Sequence, residues 1–277
     1  MKIVWQQSSQ PVKYFVRSKA IHPTIRLYGP GDAGILGVSV NGQAVRREGS
    51  MALIDKIAEK GSDKEKMARR LMSHPEEIGA VVEAMQAPTG TKRYACEKVL
   101  RLVSEQKPEL MYSYFEVYVK LLEAENSFIK WGAILTIAHL TAVDEENQFE
   151  KIFKKYYAFI TDPVMISAAN VIGGSVRIAE AKPTLVEKIT REILKVEDAR
   201  YQKKGVYSPE CGNVARGQAI ESFEQFFDLI KDQRPVIAFV KRQLKNTRKA
   251  VVKKAEKFFK KYSIDYCTKQ TSEGSGS

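Results

Sequence analysis

Small and large apolar residues recur along the chain with a spacing typical of stacked helical hairpins. From residue 51 to about residue 262, a small inward-facing residue is followed four positions later by a larger apolar one. These pairs are Ala95/Val99, Ala133/Ile137, Ala168/Ile172, Ala219/Phe223 and Ala255/Phe259, and successive pairs are separated by 38, 35, 51 and 36 residues. A repeat of this length indicates a solenoid, in which each unit buries its apolar face only against its neighbours.

The same periodicity predicts twelve helices joined by short connections. They fall near residues 52–60, 63–73, 76–86, 91–105, 109–124, 127–141, 147–161, 164–179, 184–197, 210–230, 235–245 and 248–262. Capping-box spacings predict three of the helix starts, at Ser62 with Glu65, Ser73 with Glu76 and Thr184 with Glu187. Glycine and alanine pairs on the second helix of each hairpin, such as Gly173-Gly174, predict close packing between units.

The first 50 residues follow a different pattern. Their apolar residues form short β-like runs, at 2–5, 12–16, 24–28 and 35–40, and the last run leads into Asn41-Gly42, a dipeptide that suits a hairpin turn. Two other interpretations remain open, because Gly49-Ser50-Met51 resembles a cloning junction and the codons of residues 47–49 could form a ribosome-binding run. In both, the functional chain begins at Met51. We therefore expect a β-prone or fused segment at 1–50, a solenoid at 51–264 and a flexible tail at 265–277.

Composition and charge narrow the class of protein. The chain has 277 residues, of which 44% are apolar and 28% are charged, as in ordinary folded proteins. No apolar run is long enough to span a membrane, and three widely separated cysteines argue against a disulfide framework, so we expect a cytoplasmic protein. The net charge of +12 is concentrated at the ends: residues 1–50 carry +5, residues 51–240 carry −1, residues 241–261 carry +9 and the tail carries −1.

Segments such as 93–100 (RYACEKVL) and 214–220 (VARGQAI) resemble the inner helices of HEAT and armadillo-type repeat proteins. The resemblance covers residues 62–262 and implies an all-α fold, a right-handed α-solenoid of about five HEAT-like hairpins after the N-terminal segment. It also implies a curved scaffold that holds a macromolecule on its concave face. Proteins are the favoured partner; nucleic acid is the alternative, since some HEAT-like proteins are DNA glycosylases that grip a duplex.

The C-terminal unit contains the most distinctive candidate site of the sequence, a cluster of ten lysine and arginine residues. Its members are Lys241, Arg242, Lys245, Arg248, Lys249, Lys253, Lys254, Lys257, Lys260 and Lys261, and four of them (Lys249, Lys253, Lys257 and Lys260) form one helical stripe. Such a surface could neutralise phosphates or bind an acidic partner. Alternatively, it is the polar cap that a terminal repeat requires.

The 51-residue spacing marks an insertion at residues 198–213. Inserted loops project from solenoids and often carry function, so Tyr201, Lys203, Lys204 and Tyr207 form a candidate partner loop. The alternative is a loop that only covers an edge. Trp131, at the start of an inner helix, is a further candidate for the concave face, although packing is the alternative for any aromatic residue at helical spacing.

The sequence predicts no catalytic, cofactor-binding or metal-binding site. The three histidines and three cysteines are isolated from one another, and the glycines at 29, 31, 34 and 37 do not have the spacing of a phosphate-binding loop. We therefore expect a non-enzymatic repeat scaffold, with no cofactor and no membrane association, that binds a protein partner.

Overall fold

The computed structural model describes residues 40–264, with side chains described from Gly49 onward. In this range the chain forms twelve α-helices, and the all-α prediction is confirmed. The helices are α1 (Val40–Ala58), α2 (Lys64–Ser73), α3 (Ile78–Met85), α4 (Lys92–Gln106), α5 (Phe115–Leu121), α6 (Ser127–Leu140), α7 (Gln148–Tyr157), α8 (Met165–Ala181), α9 (Val186–Leu194), α10 (Pro209–Phe226), α11 (Arg234–Gln243) and α12 (Lys249–Lys261). Short 3-10 turns flank several helices, and one small hairpin, β1 (Gln202–Lys203) with β2 (Val206–Tyr207), precedes α10.

The hairpin turn predicted at Asn41-Gly42 is wrong, because both residues lie within α1. Strong helix formers follow this dipeptide, among them Gln43, Ala44 and Arg46, and they extend the helix back to Val40. The predicted β-like runs at 2–5, 12–16 and 24–28, most of the run at 35–40 and the predicted tail at 265–277 lie outside the described residues.

None of the three predicted capping boxes forms. Asp63 caps α2, since its carboxylate accepts a hydrogen bond from the Lys66 backbone N–H at 2.9 Å. Ser62 still belongs to the turn after α1, Ser73 is the last residue of α2, and Thr184 lies in a 3-10 turn. The helix starts were therefore predicted close to their positions but for the wrong chemical reason.

Alternate helices stack side by side in what we call the inner row, which consists of α4, α6, α8, α10 and α12. Each of these helices packs directly against the next one in the row, and α3, α5, α9 and α11 each pack against an inner-row helix. The repeating pairs lie in the inner row as predicted. Ala95 is half-buried, and the other nine pattern residues are buried. This architecture is an α-solenoid.

Glycine allows the inner-row helices to approach closely. A β-carbon at Gly174 would lie 2.8 Å from the hydroxyl oxygen of Tyr156 and 3.0 Å from the β-carbon of Ala138. At Gly132, a β-carbon would overlap the side chain of Glu97 from the neighbouring helix α4. These positions have no room for a larger residue, which explains why the sequence accepts glycine inside helices.

A buried ion pair ties three consecutive units together. The carboxylate of Asp144 accepts hydrogen bonds from the Tyr112 hydroxyl at 2.6 Å and from the backbone N–H groups of Gln148 and Phe149 at 2.8 and 3.0 Å. The ammonium group of Lys182, at the end of α8, lies 3.1 Å from the same carboxylate. Burial raises the pKa of Asp144, but these hydrogen bonds and Lys182 outweigh burial and leave the pKa below its ordinary value.

The neighbouring glycines of α8 should respond to alanine in opposite ways. We expect Gly174→Ala to lower the free energy of unfolding by about 1–3 kcal/mol, because the new methyl group meets Tyr156 and Ala138. Gly173→Ala is the matched control: a β-carbon there meets nothing closer than the Gln218 side-chain nitrogen at 3.8 Å, so helix propensity should raise stability by about 0.5–1 kcal/mol. Urea unfolding followed by circular dichroism measures both; equal effects of the two variants would contradict this account of helix spacing.

Candidate partner-binding surface

Exposed apolar side chains concentrate at one edge of the inner row. Eight large hydrophobic side chains are exposed among the described residues, and six of them lie near the N-terminal ends of α4, α6, α8 and α10. Together with the half-buried Trp131 they form what we call the apolar edge: Tyr94, Phe128, Trp131, Val164, Ile166, Val206 and Tyr207. Alternate helices of a hairpin repeat run parallel, so their N-terminal ends share one edge. Exposed apolar side chains that are grouped at one edge are typical of an interaction site.

The aromatic rings of the apolar edge are held in fixed positions. Phe128 is 65% exposed, and its ring packs edge-on against Tyr94, with centroids 6.0 Å apart, and against Trp131, with centroids 5.3 Å apart. The indole N–H of Trp131 donates a hydrogen bond to the Ser167 hydroxyl at 3.1 Å. The side-chain amide of Asn126 donates to the Tyr94 hydroxyl at 2.9 Å. These contacts join α4, α6 and α8 and order the rings before any partner arrives.

Local helix chemistry sets the position of Phe128. The side chain of Asn126 accepts hydrogen bonds from the backbone N–H groups of Phe128 and Ile129, at 3.1 and 3.2 Å, and so fixes the first turn of α6. Phe128 and Trp131 are three positions apart and therefore share one face of the helix. Ile129, between them, is buried.

Sequence reasoning identified Trp131 as a candidate but missed Tyr94 and Phe128. An aromatic residue in the first turn of a helix can face the core or the solvent at the same sequence spacing. Helical periodicity alone therefore does not distinguish a buried aromatic residue from an exposed one. The repeat register contains a usable signal: Trp131 and Ile166 each stand two positions before the inward alanine of their unit. Large apolar residues at this shared position lie at the same edge of the stack.

The insertion before α10 forms a β-hairpin, whose second strand carries Val206 and Tyr207 of the apolar edge. Lys204 and Gly205 both have positive φ values, 53° and 78°, as a tight two-residue turn requires. Lys203, Lys204 and Tyr207 are exposed, and the Arg200 guanidinium lies 4.4 Å from the centre of the Tyr207 ring. This part of the candidate loop is available to a partner.

Tyr201 is a correction to the candidate loop. Its side chain is fully buried, and its hydroxyl donates a hydrogen bond to the Ile160 carbonyl at 2.6 Å. The inserted loop needs an apolar anchor to hold it against the solenoid, and Tyr201 provides one. It cannot contact a partner directly.

The predicted basic cluster divides into two groups. Five of its members pair with carboxylates of α10 or of the turn after α9: Arg242 with Glu197, Arg248 with Glu210, Lys254 with Glu221, and Lys257 and Lys261 with Glu224. The other five have no ion-pair partner among the described residues: Lys241, Lys245, Lys249, Lys253 and Lys260. Lys257 thus leaves the predicted stripe and helps hold α12 against α10. A phosphate-binding or acidic-partner role for the whole cluster stays a prediction.

An ion pair connects two inner-row helices that are not neighbours. Arg177 of α8 donates to the Glu105 carboxylate of α4 at 2.8 Å, although α6 lies between these helices in the row. His139 of α6 lies in a small pocket with Arg177 and Glu180. Side chains from the C-terminal ends of α4, α6 and α8 therefore lie close together.

His139 is a buried, neutral histidine. The Ser104 hydroxyl donates to the Arg101 carbonyl at 2.8 Å, and its oxygen lies within hydrogen-bonding distance, 2.9 Å, of the His139 Nδ1. Burial, together with the nearby Arg177 and Arg101, lowers the pKa of His139 from 6.5 to about 3. With its hydroxyl hydrogen already engaged, Ser104 is not arranged to act as a nucleophile towards this histidine.

Other reactive side chains are equally isolated. Burial raises the pKa of the Cys96 thiol to about 11. Over residues 49–264, no group of three or more histidine, cysteine, aspartate or glutamate side chains could hold a metal ion. None of the described helices is long and apolar enough to cross a membrane.

Comparison with known proteins gives likenesses of fold only. No family model and no curated protein matches the chain. A designed armadillo repeat protein matches at 15% identity over 78% of this chain and 93% of its own, with a TM-score of 0.49. An engineered protein matches at 13% identity over 82% and 93%, with a TM-score of 0.46. A designed armadillo repeat protein in complex with the peptide (KR)4 matches at 12% identity over 80% and 95%, with a TM-score of 0.45.

The low pKa of His139 predicts a pH-dependent stability. In the unfolded chain this residue takes up a proton below pH 6.5, whereas in the folded chain it stays neutral to about pH 3, so its contribution is present above pH 6.5 and is lost as the pH falls. We expect protonation of His139 in the unfolded chain to lower the free energy of unfolding by about 2 kcal/mol between pH 7 and pH 5. Urea unfolding at both pH values measures the slope. His139→Gln should reduce it, whereas His74→Gln, at an exposed site, should not; the same slope in both variants would contradict the assignment.

Proposed function

We propose that this protein is a non-enzymatic repeat scaffold that binds an extended segment of a partner protein along the inner row, anchored at the apolar edge. The concentration of exposed apolar side chains at that edge is the observation that carries the proposal. Aromatic residues such as Phe128 and Trp131 are typical anchors of protein interfaces, because a rigid ring buries a large area at a low cost in conformational entropy. Their fixed positions lower the cost of binding further.

The surface beside the anchor suits an extended chain. Ala169 and Gly173 have small side chains that leave space above the middle of α8. The side-chain amides of Asn170 and Gln218 make no hydrogen bond with the side chains described over residues 49–264 or with the described backbone. Free amides can pair with the backbone N–H and C=O groups of a bound segment. The ion pair between Arg177 and Glu105 draws α4 and α8 together, and this supports a concave inner row.

Nucleic acid binding has weaker support. Half of the predicted cations of the C-terminal unit already pair with carboxylates, which lowers the positive field available to phosphates. The central units carry almost no net charge. The rings of Tyr94, Phe128 and Trp131 pack against one another edge-on, an arrangement that suits apolar side chains better than a series of stacked bases.

A non-enzymatic role fits the surroundings of Ser104 and His139. The Ser104–His139 pair is buried, the histidine is neutral, and the hydroxyl hydrogen is engaged by a carbonyl. Catalytic acids and bases need a pKa near the working pH, and His139 is far from it.

A peptide selection tests the proposal. A random peptide library is panned against the protein, and the affinities of the selected peptides are measured by fluorescence anisotropy. We expect Phe128→Ala to lower the affinity for peptides that bind at the apolar edge by about 10-fold or more, since it removes the most exposed ring of the anchor. The urea midpoint should stay unchanged, because that ring contributes little to the core.

Leu229→Ala is the matched control, since Leu229 is 43% exposed but lies outside the apolar edge. Selected peptides that bind wild type, Phe128→Ala and Leu229→Ala with equal affinity would contradict the proposal. The nucleic-acid alternative would be favoured if no peptides were selected and the protein bound DNA in a salt-sensitive manner that Lys253→Gln abolished.

A further inference from the structure

The β-hairpin is a rigid projection and not a loose loop. Besides the buried Tyr201, its base is held by a hydrogen bond from the Gln202 backbone N–H to the Pro163 carbonyl at 2.8 Å. A second bond, from the Ser208 N–H to the Tyr201 carbonyl at 2.9 Å, closes the loop. Pro163 directly precedes Val164 and the start of α8. The hairpin is therefore held in a fixed place against the start of α8 and carries its part of the apolar edge there.

The exposed part of the hairpin combines apolar and basic groups. Val206 is 69% exposed and pairs across the hairpin with Lys203, so the two side chains lie on the same face. Arg200 stacks on Tyr207 at 4.4 Å, which orders its guanidinium group and leaves its N–H donors free. None of Arg200, Lys203 and Lys204 has an ion-pair partner among the described residues.

Charges bordering the rest of the apolar edge have the same sign. Arg93 lies over the Tyr94 ring at 5.6 Å, and Lys130 stands between Phe128 and Trp131 in the sequence and lies over the Phe159 ring. Four carboxylates stand within three residues of the edge in the sequence, at residues 97, 125, 162 and 210, and two of them are paired, Glu97 with Arg101 and Glu210 with Arg248. Glu125 and Asp162 have no ion-pair partner among the described residues, but the unpaired cations Arg93, Lys130, Arg200, Lys203 and Lys204 outnumber them. The unpaired charge at the edge is therefore mainly positive.

We infer that the partner segment is acidic: it places apolar side chains on the apolar edge and carboxylates against Arg200, Lys203 and Lys204. This inference rests on the proposed function and adds the chemistry of the partner. Complementary charge selects among apolar segments, because a basic segment would be repelled and a neutral one would gain nothing from the hairpin. The Arg200 guanidinium offers a planar pair of donors that matches a carboxylate.

Three synthetic peptide pools test the inference. All share the same apolar residues at alternating positions, and the remaining positions are Asp and Glu in the first pool, Asn and Gln in the second, and Lys and Arg in the third. Fluorescence anisotropy against the full chain measures their affinities at low and physiological salt. We expect the acidic pool to bind about 10-fold or more tightly than the neutral pool, and added salt should reduce that difference.

Two triple variants of equal charge separate local contacts from the overall field. Arg200→Gln with Lys203→Gln and Lys204→Gln should remove most of the preference for the acidic pool. Lys245→Gln with Lys249→Gln and Lys253→Gln removes three unpaired cations elsewhere and should leave the preference intact. The sites in both variants are exposed, and a thermal melt confirms folding.

The inference would be overturned if the acidic and neutral pools bound wild type with equal affinity. It would also be overturned if the two triple variants lost the preference for the acidic pool to the same extent. The neutral pool distinguishes this failure from failure of the proposed function. If it binds wild type and is weakened by Phe128→Ala, the apolar edge is an interface whatever the charge of its partner. If no pool binds in a Phe128-dependent manner, the proposed function fails and the inference fails with it.

Discussion

The close approach of the inner-row helices is the constraint on which the rest of the structure depends. Gly174 allows α8 to come within contact of Tyr156 and Ala138, and Gly132 accepts the Glu97 side chain of α4. At this spacing the Trp131 indole reaches Ser167 on the next helix, and the Tyr94 ring reaches Phe128. A wider stack would keep the same core residues but separate these side chains, because hydrogen bonds and ring contacts fail over a few ångströms. The geometry of the candidate surface is thus a consequence of packing beneath it.

The repeat architecture could be predicted because it depends on a periodic burial pattern. Pairs such as Ala133/Ile137 and Ala219/Phe223 are fully buried, as their spacing indicated. Helix starts were harder to explain, since Asp63 and not Ser62 satisfies the first backbone donors of α2. Capping depends on the backbone angles of one residue, and these angles are set by the preceding turn.

The candidate surface was less predictable, because exposure depends on contacts between residues distant in the sequence. Tyr201 and Tyr207 stand in the same inserted loop, yet one is fully buried against Ile160 and the other is 48% exposed. Likewise, a lysine stripe on α12 could be predicted, but the pairing of Lys257 with Glu224 could not, since Glu224 lies a full unit earlier in the chain. Periodicity describes one helix at a time, whereas a surface is formed by several.

The ion pair between Arg177 and Glu105 has a mechanical consequence. It ties α4 to α8 across α6, so any movement that takes these two helices apart must first separate the two charges. Both side chains are partly exposed, so the tie is worth at most about 1 kcal/mol and weakens as salt rises. The separation of α4 and α8 at this end of the stack is therefore only weakly held, and it can change at a modest energetic cost.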